Sequence, residues 1–127
     1  MPDQTPPEKV SILVIDDEPV VGDALKLVLE SNGYEVVLVE KGRDGIIQAG
    51  NRRFCIGIID LFLPDISGFH AIKAIREQQP DISIILITGK GTPLAFAEAR
   101  SLGVVGMLSK PFRPADILQL ISRALAQ

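Results

Sequence analysis

Four places in the 127-residue chain carry side chains that could do chemistry together: the acidic run Asp16-Asp17-Glu18, then Asp60, then Thr88, then the pair Lys110-Pro111. Clustered carboxylates repel and raise one another's pKa unless a cation stands between them. A donor set made only of oxygens suits a hard ion, and Mg²⁺ in particular keeps several waters while taking few carboxylates. If Asp16, Asp17 and Asp60 converge, three carboxylates, one divalent ion and Lys110 balance to zero formal charge. A carboxylate beside a metal is also a recognised nucleophile toward phosphoryl groups. Turning Asp60 into an acyl phosphate would change its charge from about −1 to about −2 and add acceptor oxygens. Thr88 can donate its hydroxyl to one of them, and Lys110 can pair with another.

Such a cluster needs elements that end in the same place. Short apolar runs alternate with amphipathic segments five times. The runs are Val10–Ile15, Tyr34–Val39, Cys55–Ile59, Ile82–Ile87 and Val104–Leu108. They are β-branched and nearly continuous, which suits parallel strands covered on both faces. Between them, Val21, Ala24, Leu25, Val28 and Leu29 fall on one helical stripe, opened by Pro19 and stopped by Asn32-Gly33. Gly68, Ala71, Ile72 and Ile75 form a second stripe, and Ile117, Leu120, Ile121, Ala124 and Leu125 a third. The segments 42–51 and 93–102 have weaker stripes; the second offers mainly Ala95, Ala99 and Leu102. Five βα units with right-handed crossovers predict an α/β fold, a doubly wound five-stranded parallel sheet. In such sheets ligands bind beyond the carboxyl ends of the strands, where strand order reverses. Asp16-Asp17, Asp60, Thr88 and Lys110 each stand where an apolar run stops.

Composition narrows the field. Hydrophobic residues make up 46% and charged residues 23% of the chain, as in a soluble globular domain. Net charge is −3 with Lys and Arg scattered, which argues against direct nucleic-acid binding by this segment. No apolar stretch approaches the roughly 20 residues needed to span a bilayer. No charged-then-apolar leader opens the chain, so secretion is not expected. The single cysteine, Cys55, cannot form an internal disulfide, and a reducing cytoplasm is its natural setting. Residues 1–8 are polar and proline-rich and read as a flexible tail before a domain spanning 9–127.

On these residues the sequence resembles the receiver domain of bacterial two-component response regulators, over roughly residues 9–126. The acidic pair after strand one, which binds Mg²⁺ in that family, matches Asp16 and Asp17. The phosphoacceptor after strand three matches Asp60, within Asp60-Leu61-Phe62-Leu63-Pro64-Asp65-Ile66-Ser67-Gly68. The hydroxyl residue after strand four matches Thr88, and the lysine–proline pair after strand five matches Lys110-Pro111, with a cis peptide bond between them. Any one match is unspecific; four in order, each closing a strand, are specific. The resemblance implies a flavodoxin-like fold with strand order 2-1-3-4-5. It also implies phosphoryl transfer to Asp60 from a histidine kinase or histidine phosphotransfer protein, catalysing nothing beyond its own transfer and slow dephosphorylation. A change on the face of helix four, strand five and helix five would then control an output protein or domain. That face also serves homodimers in the family. Gln127 follows helix five directly, which fits either a stand-alone receiver or a fragment of a longer regulator or hybrid kinase.

Three positions depart from the family pattern. Met107 stands where an aromatic switch residue is usual, three residues before Lys110; it predicts either a blunted switch or a simple packing exchange. Phe62, two residues after Asp60, cannot orient water and predicts slow dephosphorylation. Gly89 and Gly91 predict a mobile loop after Thr88. Plainer readings exist for several residues. Asp17 could cap helix one, His70 reads as an exposed helical residue, and Cys55 reads as core. A dehalogenase-like phosphatase shares the aspartate, Mg²⁺, Thr and Lys set. It needs a second aspartate where Phe62 stands. A flavodoxin-like electron carrier would need a hydroxyl-rich phosphate loop where the acidic run sits. A docking scaffold would not need the intact set.

Overall fold

The computed structural model describes residues 9–126, so the expected tail at 1–8 lies outside the described residues. Strands and helices alternate as β1 (Ser11–Ile15), α1 (Pro19–Ser31), β2 (Glu35–Val39), α2 (Gly42–Asn51), β3 (Ile56–Asp60), α3 (Gly68–Gln78), β4 (Ser83–Thr88), α4 (Pro93–Ser101), β5 (Gly106–Ser109) and α5 (Pro114–Leu125). The five strands pair in parallel throughout, in the order β2-β1-β3-β4-β5. The chain leaves β1 toward one edge and β3 toward the other. Their outgoing loops therefore diverge and open a crevice above the two strands.

Side chains alternate across the sheet and build a core on each face. Ile12 and Val14 join Leu25 and Leu29 of α1 and Ile117 and Ile121 of α5 on one side. Leu13 and Ile15 join Ala71, Ile72 and Ile75 of α3 on the other. The central strands carry apolar residues that solvent does not reach, among them Ile12 to Ile15, Ile58, Ile59 and Ile84 to Ile87. β2 and β5, at the edges, are only partly covered.

Several expectations shift. Cys55 is exposed, not core. Its backbone joins the ladder, donating to Ser11 O and accepting from Ser83 N. The side chain, however, faces solvent between buried Phe54 and Ile56, at the amino-terminal rim of the sheet. Ala24 and Leu125 also lie outside the buried stripes of α1 and α5. α1 instead buries Gly22, against Leu38 of β2. It ends at Asn32 with Gly33 at φ +86°, a left-handed step that favours glycine.

One buried polar side chain ties the layers together below the sheet. Gln79, which follows α3, accepts from Phe54 N–H at 2.8 Å and donates to Ala49 O and Arg52 O, each at 2.7 Å. It thus fixes the end of α2 and the entry to β3 at once. Gln79→Ala leaves an amide hydrogen and two carbonyls without these partners. Urea unfolding is expected to show a loss of about 2–3 kcal/mol; a loss below about 0.5 kcal/mol would mean the clamp is dispensable.

Candidate functional site

The register of the sheet sets the site. Ile15 of β1 pairs with Ile59 of β3, so the next residues, Asp16 and Asp60, stand side by side at the carboxyl edge. Asp60 pairs with Ile87, which places Thr88 one step beyond it on β4. Thr88 pairs with Ser109, and Lys110 follows, its N–H donating to Thr88 O at 2.8 Å. Four strand ends therefore deliver the five residues expected from sequence to one place, and Lys110–Pro111 is cis.

Asp16 and Asp60 are almost fully buried, and Asp17 is exposed. One carboxylate oxygen from each lies within 4.8 Å of the others. Asp16 Oδ1 accepts from Glu18 N–H at 2.9 Å. Its Oδ2 is buried with no hydrogen-bond partner, although Lys110 Nζ lies 3.0 Å away. The ammonium is thus near that oxygen but not aligned on it. Burial pushes the Asp16 carboxyl above its usual range, against the pull of the Glu18 amide and Lys110. An orphaned buried oxygen beside two further carboxylates fits a hard divalent cation.

Asp60 Oδ1 accepts from Phe62 N–H at 3.0 Å, and Oδ2 accepts from Lys110 Nζ at 2.6 Å. Lys110 also donates to Glu18 Oε1 at 2.7 Å. Burial alone would pull the lysine down; its hydrogen bonds to Asp60 and Glu18, with the Asp16 carboxylate close by, outweigh that and hold it above the ordinary lysine range. Thr88 is fully buried, and its Oγ1 accepts from Lys90 N–H at 3.1 Å. The hydroxyl hydrogen is left to donate elsewhere. Asp17 does not cap α1: the cap position is Glu18, whose side chain makes no cap bond.

Two supports of the site lie outside the expected set. Gly68 opens α3 where any Cβ would overlap the Asp60 carbonyl and Leu61 Cα. Only glycine lets α3 seat this close to the strand end. Asp65 reaches across to α2, accepting from Gly42 N–H at 2.9 Å and Arg43 N–H at 3.0 Å. Its sequence signal is indirect: α2 begins after Lys41, which supplies no side-chain cap. Phe62 is half exposed and shares a cavity of about 460 Å³ with Phe69 and Leu94. Met107 is half buried against the α3 and α4 side of the core. His70 is exposed, as expected.

Residues 12–122 match the model of the response regulator receiver domain. The chain belongs to that family. The acid tolerance regulatory protein ActR of Rhizobium meliloti is 36% identical over 112 residues, covering 88% of this chain and 57% of the relative. A CheY-like receiver domain protein from Methanospirillum hungatei superposes with TM-score 0.90 at 27% identity, covering 94% of this chain and 95% of that one. A response regulator from Burkholderia pseudomallei, solved with a phosphorylated aspartic acid, a calcium ion and citrate, superposes with TM-score 0.84 at 29% identity. That match covers 93% of this chain and 70% of the other. The chain spans about half the length of the curated relatives it matches. Among the described residues, no helix of this receiver is long and apolar enough to cross a membrane.

The Asp65 contact predicts an acid-sensitive link. Desolvation opposes ionisation of its carboxyl, but the amides of Arg43 and Gly42 more than offset it and hold the pKa below the usual value. A carboxylate depressed in the folded state stabilises above its unfolded pKa and loses that contribution as pH falls through the folded one. Asp65→Ala is expected to cost about 1 kcal/mol at neutral pH. It should also flatten the decline in stability below about pH 4. Unfolding curves with the same acid slope in both proteins would contradict this.

Proposed function

We propose that this receiver works as a phosphorylation switch whose acceptor is Asp60. The observation that carries the reading is the Lys110 ammonium 2.6 Å from Asp60 Oδ2, beside the unpartnered Asp16 oxygen. An oxygen of Asp60 attacks the phosphorus of a phosphohistidine. The new P–O bond forms as the P–N bond breaks, and its electron pair returns to the imidazole of the donor. Asp16, Asp17 and Asp60 would hold Mg²⁺, which neutralises charge on the transferred group when bound. Lys110 offers the phosphoryl oxygens a fixed positive charge, and the free Thr88 hydroxyl hydrogen gives them a donor. The Burkholderia regulator, with its phosphorylated aspartate and calcium ion, supports this division of labour.

The domain at 9–127 takes its phosphoryl group from a histidine kinase or histidine phosphotransfer protein, in the cytoplasm, and passes the state to an output protein or domain. The α4, β5 and α5 face carries that change, and Met107 lies within it on β5. The chain catalyses only its own transfer and slow dephosphorylation.

Intact-mass measurement after treatment with acetyl phosphate and Mg²⁺ is expected to show one phosphoryl gain, lost in Asp60→Asn and in excess chelator. No gain in the native chain would sink the proposal. Phe62 supplies a ring but no polar group beside Asp60, so little orients a water toward the acyl phosphate. Phe62→Asn should shorten its lifetime about 5-fold, corresponding to roughly 1 kcal/mol off the hydrolysis barrier. An unchanged or longer lifetime would refute that role.

A further inference from the structure

Glu18 occupies the cap position of α1, yet its carboxylate binds none of that helix's N–H groups. Pro19 follows at the first helical position, and Asp16 Oδ1 takes the Glu18 N–H. The side chain turns instead to the exit of β5 and accepts from Lys110 Nζ at 2.7 Å, a contact between residues 92 positions apart. The ammonium thus donates to Asp60 at 2.6 Å and to Glu18 at 2.7 Å, and lies 3.0 Å from Asp16 Oδ2 without a hydrogen bond to it. The lysine side chain is 11% exposed and that of Glu18 is 58% exposed, so Glu18 is the more solvent-facing partner of the pair.

Forming the acyl phosphate at Asp60 moves negative charge from its carboxylate to the phosphoryl oxygens, which weakens the shortest hold on the ammonium. Asp16 is engaged by its own turn and belongs to the proposed metal set. Among the described residues, Glu18 is the carboxylate on Lys110 that this chemistry leaves alone. We infer that Glu18 is a positioning residue: it keeps the Lys110 ammonium over Asp60 during phosphoryl transfer. Without it, the flexible lysine stem can swing into solvent. The inference rests on Asp60 being the acceptor.

A competing effect runs the other way, because Glu18 adds negative charge to a site that must receive an anion. Solvent and salt screen that repulsion at a side chain more than half exposed. The charge-assisted hydrogen bond is short and directional, and it survives exposure better than a diffuse field. Positioning therefore outweighs repulsion.

The test uses the full chain with acetyl phosphate and Mg²⁺, comparing the native protein with Glu18→Gln, Glu18→Ala and Asp60→Asn. The phosphorus–oxygen bond to acetate breaks, acetate leaves with the electron pair, and an Asp60 oxygen forms the new bond. Neither Glu18 nor Lys110 gives up a proton. Glu18→Ala is expected to slow uptake about 5- to 10-fold, and Glu18→Gln less, since its amide oxygen still accepts. In the metal-free protein, competitive acetylation of lysines should label Lys110 faster in Glu18→Ala than in the native chain, with thermal stability unchanged. Uptake by Glu18→Ala at or above the native rate overturns the role of Glu18 and leaves Asp60 as acceptor. An equal loss in both Glu18 variants with unchanged Lys110 labelling also overturns it. No uptake by the native chain overturns both readings.

Discussion

The ammonium of Lys110 sits against carboxylates from two neighbouring strands, and the rest of the site depends on that contact. Asp16 and Asp60 are buried at the sheet's carboxyl edge, where ionised carboxylates are costly unless a cation faces them. Lys110 supplies one positive charge, from a strand two places along the sheet from β3. Breaking a buried ion pair by removing one partner typically costs about 3–5 kcal/mol, because the other charge is stranded. The negative charge that remains, with one Asp16 oxygen unpartnered, suits the edge to a divalent cation.

The scaffold is arranged to hold this charge cluster rigid. β1, β3 and β4 are packed on both faces, so their ends have little freedom to drift apart. Gly68 brings α3 down onto the backbone of Asp60 and Leu61. Asp65 pins the loop after Asp60 to the start of α2, and Gln79 pins α2 and β3 from below. The loop after Thr88 is built differently. Gly89 and Gly91 flank Lys90, and α4 buries only Ala99 among its own residues. The site thus joins an acidic wall packed on both faces to a loop with two glycines and a helix that buries one residue.

Much of this could be read from the residues in order. Continuous β-branched runs gave the buried strands because a parallel sheet covered on both faces has no polar side. The site residues were legible because a polar residue that halts such a run must stand at a strand end, and the order of strands does the rest. Cys55 misled because an apolar run does not say which of its residues at the rim of a sheet turns outward, and here Cys55 does so between buried Phe54 and Ile56. Glu18, Asp65 and Gln79 carry contacts fixed by loop paths, and no local spacing encodes those. Only the missing cap of α2 hinted at one of them.

The family places this chain in phosphorylation-dependent signalling, and the Asp60 carboxylate is the group on which the proposed switch turns. After phosphorylation, borohydride reduces an acyl phosphate to an alcohol, which peptide mass spectrometry can locate. Homoserine is expected at position 60, with aspartate retained at 16, 17 and 65. Reduction at any of those other positions, or at none while the chain carries phosphate, would contradict it.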